Sequence, residues 1–201
     1  MTKIKFCGLR REEDIEAVNE LRPDYIGFVF AEKSKRFVTR ERAAELKRLL
    51  SPGIPAVGVF VDAPVDTAAG LLNDGIIDMA QLHGHEDEAY ITVLRKQTDR
   101  QIIRAFRVRS REDIPHVEAS QADLILLDAG AGDGKTFEWD LAESVRRPYF
   151  LAGGLTAENA EAAINRLHPF ALDVSSGIET NGVKDKEKMR AFLRAVRGTE
   201  A

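Results

Sequence analysis

Asp128 stands where an acid–base residue of an enzyme is often found. It follows four apolar residues, Leu124 to Leu127, and precedes a loop with glycines at positions 130, 132 and 134. A continuous apolar run of this length is typical of a strand that is covered on both faces. A carboxylate at the end of such a strand is a candidate general acid or base, although a residue that caps the following turn would occupy the same position.

Cys7 is the only cysteine of the chain and precedes Gly8 at the end of the first predicted strand. A free cysteine is more often a small buried apolar residue than a catalytic one. A position at a strand end favours function, provided that nearby positive charge lowers the pKa of the thiol towards the thiolate form that a base requires. A single cysteine also excludes an intrachain disulfide and is typical of a reducing compartment.

Two short turns of small residues follow the last two predicted strands. They are Gly153–Gly154 and Ser175–Ser176–Gly177. Backbone N–H groups in such turns can surround an anion, and (β/α)8 barrels often bind phosphate after their seventh and eighth strands. The sequence therefore predicts a phosphate site here, with two ordinary tight turns as the alternative.

Arg36 and His83 also follow predicted strands. The guanidinium of Arg36, in AEKSKR, matches the two oxygens of a carboxylate, although a solvated basic loop is the simpler interpretation. His83 and His85, in QLHGHE, have no accompanying cysteine or histidine cluster. No metal site is therefore predicted, and His83 is expected to line a pocket.

The loop after Asp128 partly matches a nucleotide-binding loop. Gly134-Lys135-Thr136 agrees with the end of that motif, but Ala129 occupies the position of its first glycine. We therefore expect this loop to be a lid over the site instead.

Strand-like and helix-like segments alternate along the whole chain. Amphipathic segments such as Arg11–Leu21, 40–50 behind Thr39, 157–167 behind Thr156 and Lys184–Arg197 separate the strands. Eight such units predict an α/β fold, a single (β/α)8 TIM barrel over residues 1–201, with a doubly wound sheet as the alternative. The predicted strands begin near Lys3, Tyr25, Ala56, Asp78, Gln101, Ala122, Tyr149 and Phe170.

Composition limits the partners. The net charge of -4 over 201 residues argues against a general nucleic-acid binder, and a small anionic ligand is expected instead. No apolar run approaches the roughly 18 residues that would cross a membrane, and the first glycine comes too early for a signal-peptide core. We expect a cytoplasmic protein with no membrane or nucleic-acid partner.

Six motifs in order resemble those of one family, the phosphoribosylanthranilate isomerases of tryptophan biosynthesis. The motifs are KFCGL (5–9), GFVFAEKSKR (27–36), QLHG (81–84), LLDAGAGDGKTFEW (126–139), LAGGLTAEN (151–159) and DVSSGIE (173–179). The resemblance covers essentially the whole chain. It implies a (β/α)8 enzyme without cofactor or metal, either a monomer or a homodimer.

The resemblance also assigns roles to residues. It implies an Amadori rearrangement of N-(5-phosphoribosyl)anthranilate, with Cys7 as general base and Asp128 as general acid. Arg36 would meet the anthranilate carboxylate. The remaining substrate-binding residues would be His83, Gly153, Gly154, Asp173, Ser175, Ser176 and Gly177.

Three other functions stay open at this point. Indole-glycerol-phosphate synthases use lysines inside the barrel, and Lys5 is a lysine within a predicted strand. An isomerase that also accepts the related histidine-pathway aminoaldose would show a second phosphate site, which the sequence does not. A phosphosugar-binding barrel without activity would differ only in an assay.

Overall fold

Eight parallel strands close into a barrel in the order of the sequence. The computed structural model describes residues 1–128 and 139–198. The strands are β1 (Lys3–Cys7), β2 (Tyr25–Val29), β3 (Ala56–Phe60), β4 (Met79–Leu82), β5 (Gln101–Phe106), β6 (Leu124–Asp128), β7 (Tyr149–Ala152) and β8 (Ala171–Val174). The predicted (β/α)8 barrel is confirmed, and the doubly wound alternative is excluded. The loop predicted as a lid, 129–138, lies outside the described residues.

Helices connect the strands. They are α1 (Glu12–Leu21), α2 (Arg40–Leu49), α3 (Val65–Asn73), α4 (Glu88–Arg95), α5 (Ile114–Glu118), α6 (Trp139–Ala142), α7 (Ala157–Leu167) and α8 (Lys186–Gly198). In the described part of the chain, none of them is long and apolar enough to cross a membrane.

The predicted start of the last helix at Lys184 is wrong. Residues Val183–Lys184 pair instead with Glu179–Thr180 in a two-stranded hairpin, and α8 begins two residues later. The cause is the side chain of Lys184, which is only 2% exposed and lies 2.7 Å from a carboxylate oxygen of Glu179. This ion pair holds the Lys184 side chain against the barrel, whereas the first turn of a surface helix would leave it in solvent.

The strands are buried on both faces. Outward side chains pack against the helices, as Phe6 does edge-to-face against Phe192 of α8 at a ring-centroid distance of 6.3 Å. Side chains alternate along a strand, so Lys5 and Cys7, which flank Phe6 in the sequence, point into the barrel. This alternation allows one short strand to serve both the core and the site.

The inside of the barrel contains two different layers. The apolar layer is one buried cluster in which the rings of Tyr25 and Phe150 meet at 5.5 Å. Its members are Tyr25, Val57, Met79, Ile103, Leu126, Phe150, Ala152 and Ala171. The polar layer consists of Lys5, Gln81 and Asp173, all at most 7% exposed. Gln81 and Asp173 lie two residues beyond Met79 and Ala171, which places the polar layer nearer the carboxyl ends of the strands.

Candidate active site

A cavity of about 400 Å³ opens at the carboxyl ends of the strands. It is the position at which (β/α)8 barrels carry their active sites. Nine of the ten residues predicted as site residues line it, and Gly177 does not. The nine are Cys7, Arg36, His83, Asp128, Gly153, Gly154, Asp173, Ser175 and Ser176.

Cys7 ends β1 and is 8% exposed. Its sulfur has room because Gly27 is its partner on β2, where a Cβ atom would stand only 2.7 Å from Sγ. The ammonium of Lys5, two residues earlier on the same face of β1, lies 3.5 Å from Sγ. The thiol is thus held between a glycine and a buried cation.

The pKa of the Cys7 thiol is raised above its ordinary value, so the lowering on which the role of base was conditional is not found. Burial raises this pKa because it removes water from the thiolate, and the negative charge of Asp173 raises it further. The positive charges of Lys5 and Lys184 act in the opposite direction and offset only part of the effect. In this structure Cys7 is therefore a thiol at neutral pH.

Lys5 is the centre of the polar layer. Its Nζ donates to Gln81 Oε1 at 2.6 Å and to Asp173 Oδ2 at 2.8 Å. Burial lowers the pKa of Lys5, but Asp173 and Cys7 more than compensate, so that the pKa is raised and the amine stays charged. The second oxygen of Asp173, Oδ1, is buried and has no hydrogen-bond partner among the described residues.

Hydrogen bonds lead from the polar layer to Asp128. Gln81 Nε2 lies 2.8 Å from His83 Nδ1, and His83 Nε2 lies 3.1 Å from Asp128 Oδ2. The guanidinium of Arg107, after β5, lies 3.6 Å from the same oxygen. Sequence reasoning gave Gln81 no role, although a glutamine inside a fully buried strand was a usable signal.

Arg36 is already engaged by a carboxylate of the protein. Its Nε and Nη2 donate to the two oxygens of Glu179 at 2.6 and 2.8 Å. Burial raises the pKa of Glu179, but the hydrogen bonds from Arg36 and Lys184 outweigh it and lower that pKa to about 2. Sequence reasoning missed Glu179, which lies in the motif DVSSGIE but outside the predicted strand.

The two small turns lie beside each other at the cavity. Gly153 and Gly154 both have positive φ, 94° and 63°, a conformation that glycine adopts without strain. Ser175 Oγ donates to the carbonyl of Cys7 at 3.0 Å, which links the second turn to β1. Gly177 instead lines a neighbouring pocket. A Cβ atom at position 177 would collide with the carbonyl oxygen of Leu155.

Titratable side chains thus meet at the carboxyl ends of a closed barrel. Among the residues that the structure describes, no three histidine, cysteine or acidic side chains are grouped as a metal site would require. The fold and the site are those of a (β/α)8-barrel enzyme.

Comparison with known proteins identifies the family. The family model described as N-(5'phosphoribosyl)anthranilate (PRA) isomerase matches residues 4–195. The N-(5'-phosphoribosyl)anthranilate isomerase of Endomicrobium trichonymphae is 44% identical and aligns over 98% of this chain and 99% of its own. The chain belongs to the phosphoribosylanthranilate isomerase family, as the resemblance predicted.

Solved structures agree with this assignment. The phosphoribosyl anthranilate isomerase from Thermotoga maritima superposes with a TM-score of 0.89 at 33% identity, over 98% of this chain and all of the other. A second isomerase structure is a complex with reduced 1-(o-carboxyphenylamino)-1-deoxyribulose 5-phosphate. It has a TM-score of 0.85 at 32% identity, over 98% of this chain and all of that one.

Proposed function

We propose that this chain isomerises N-(5-phosphoribosyl)anthranilate to 1-(2-carboxyphenylamino)-1-deoxyribulose 5-phosphate, with Asp128 as general acid and Cys7 as general base. The observation that carries this proposal is that both side chains line one cavity, from β6 and β1, in a member of this family. Residues 1–201 act as one barrel domain in this proposal, without a metal or cofactor.

The first step needs an acid. Asp128 donates its proton to the ring oxygen of the ribose as the bond from that oxygen to C1 breaks, which leaves an open-chain Schiff base. The carboxylate that results is supported by His83, 3.1 Å from Oδ2, and by the positive charge of Arg107. Both contacts stabilise the carboxylate that the proton transfer leaves behind.

The second step needs a base. Cys7 removes the proton on C2, the electrons form the C1–C2 double bond of an enolamine, and the Schiff-base nitrogen becomes neutral. The enolamine then tautomerises to the ketose. Because the pKa of Cys7 is raised, only a small fraction of the thiol is ionised at neutral pH, and the nearby ammonium of Lys5 stabilises that fraction.

The ends of the substrate need separate anchors. Arg36 uses Nε and Nη2 for Glu179, which leaves its Nη1 for the anthranilate carboxylate. Backbone groups of Gly153 and Gly154, with Ser175 and Ser176, receive the phosphate. Asp173 offers its unpartnered Oδ1 to a hydroxyl of the sugar.

We further propose a cytoplasmic location and a homodimer or a monomer in solution. A related structure from Thermotoga maritima is described as monomers generated from a dimeric isomerase. The acidic net charge of -4 fits a small-molecule enzyme rather than one that binds nucleic acid.

The test is an assay of the purified protein for loss of the fluorescence of phosphoribosylanthranilate. Asp128→Asn and Cys7→Ser should each lower kcat by about 10²–10⁴-fold without unfolding the chain. Asp99→Asn is the matched control, because Asp99 is exposed and precedes β5 at the other end of the barrel. Near-normal turnover of Asp128→Asn would remove Asp128 from the role of acid.

A further inference from the structure

The orientation of the Gln81 side-chain amide follows from its neighbours. The ammonium of Lys5 can only donate hydrogen bonds, and it lies 2.6 Å from one end of the Gln81 amide. That end must be the oxygen, so the NH2 group is at the other end, 2.8 Å from His83 Nδ1. Lys5 and Gln81 are at most 1% exposed, so both contacts are shielded from bulk solvent.

The protonation of His83 follows in turn. An NH2 group donates, so Nδ1 of His83 must accept and carries no proton. The single proton of the neutral ring is then on Nε2, the atom 3.1 Å from Asp128 Oδ2. In this tautomer His83 Nε2–H donates to Asp128 Oδ2.

We propose that Gln81, held by Lys5, is a positioning residue that fixes His83 in the Nε2–H tautomer, so that His83 donates a hydrogen bond to Asp128. This inference rests on the proposed role of Asp128 as general acid and adds a residue to which no role was assigned. The opposite tautomer would turn a lone pair towards Asp128 and oppose the carboxylate that forms when the acid gives up its proton.

The same contacts connect the two ends of the acid–base pair. Lys5 touches the sulfur of Cys7 on one side and Gln81 on the other, and Gln81 leads to His83. One buried cation therefore supports both the thiolate of the base and the tautomer next to the acid.

Charged and titratable groups face the same cavity, or the Gln81 contact below it, from several parts of the barrel. They lie on β1, β6 and β8, directly after β5 and in the loop after β2, and they are Lys5, Cys7, Arg107, Asp128, Asp173 and Arg36. Of these, Asp128 and Asp173 are acidic and Lys5, Arg107 and Arg36 are basic, so charges of both signs are present.

The direct test is nitrogen NMR of the protein labelled with ¹⁵N in its four histidines. The His83 signals are identified by their loss in His83→Gln. Near neutral pH we expect Nδ1 to resonate as an unprotonated nitrogen and Nε2 as a protonated one. A protonated Nδ1 in the unmodified chain would overturn the proposal, whether or not any variant folds.

Gln81→Glu tests the consequence for catalysis. The introduced carboxylate would accept from Nδ1–H, so His83 should hold a proton there and keep it to higher pH. We expect kcat to fall about 10- to 100-fold with little change in KM, and the pH dependence of kcat to shift towards alkaline pH. A merely structural role would lower kcat without moving the pH profile, and that result would contradict the proposal.

Two further variants complete the design. Gln81→Met keeps the length of the side chain but neither donates nor accepts, so both tautomers should be seen and kcat should fall without the alkaline shift. Gln121→Glu adds the same charge at an exposed position and should leave both the NMR signals and kcat unchanged. An inactive unmodified chain with the expected His83 signals would refute the proposed function alone, whereas an active chain with Nδ1 protonated would refute only this inference.

Discussion

The apolar layer and the polar layer are neighbours inside one barrel, yet different forces hold them. Side chains of the apolar layer are stabilised by burial and by ring contacts such as that of Tyr25 with Phe150. The polar layer instead buries an ammonium and a carboxylate, whose desolvation costs about as much as their attraction returns. Lys5 and Asp173 are therefore not needed for stability as such, but either one alone would be destabilising.

The largest effect is expected for Lys5→Met. It leaves the Asp173 carboxylate buried without a counter-charge and should lower the free energy of unfolding by about 3–5 kcal/mol. It should also abolish most activity, because Cys7 loses its cation and Gln81 its anchor. Urea denaturation and the fluorescence assay measure the two losses.

The double variant Lys5→Met/Asp173→Leu sharpens this result. Replacing both members of a buried ion pair with apolar side chains is often neutral for stability. We expect stability to return while activity does not. A double variant that is less stable than Lys5→Met alone would contradict the account of the polar layer.

Phe150→Ala is the matching change in the apolar layer. It removes a fully buried ring and should cost about 3–5 kcal/mol through lost burial and a residual cavity. Since Phe150 does not line the active-site cavity, kcat of the folded fraction should stay nearly unchanged. A large loss of kcat at full folding would show that the two layers are not separable.

The pH dependence of Cys7 alkylation tests the polar layer next to Cys7. Only the thiolate form is alkylated, and the pKa of Cys7 is raised. Between about pH 6.5 and 8.5, the rate of alkylation by iodoacetamide should therefore climb with pH, approaching about tenfold per unit. Cys7→Ser should lack this reaction, and a rate that is flat above about pH 6.5 in the unmodified chain would exclude a raised thiol pKa.

The smallest effect is expected for Glu179→Gln. The amide holds Arg36 less firmly than the carboxylate does, so KM should rise by about 3- to 10-fold with kcat nearly constant. The pKa of Glu179 is lowered to about 2, so its contribution to stability is present above the unfolded value of about 4.3 and is lost as pH falls towards 2. The difference in stability between Glu179→Gln and the unmodified chain should accordingly shrink between about pH 5 and pH 2.

The regular recurrence of strand-like and helix-like segments, and the turn residues between them, were sufficient to predict the barrel. The predicted strands near Lys3, Tyr25 and Tyr149 begin where the structure has them, because their apolar runs are bounded by clear turn residues. Strand ends then placed Cys7 and Asp128 at one edge, since all strands of a parallel barrel point the same way.

Contacts between distant residues could not be predicted in the same way. Arg36 and Glu179 are 143 positions apart, and nothing in the spacing of either motif links them. The raised pKa of Cys7 likewise depends on how deeply the sulfur is buried and on Asp173 from β8, which only the closed barrel brings near. Gln81 lies within the motif QLHG, but its role depends on which atoms its side chain contacts in the folded barrel.

The chain has one sulfhydryl, and that sulfhydryl is in the cavity. An alkylating label added at alkaline pH would therefore react at a single place, approaching from the open side because Gly27 leaves space for the sulfur alone. The moles of label taken up per mole of chain would count competent active sites directly, without a kinetic standard. Protection of that label by phosphoribosylanthranilate would turn the same count into a measure of occupancy.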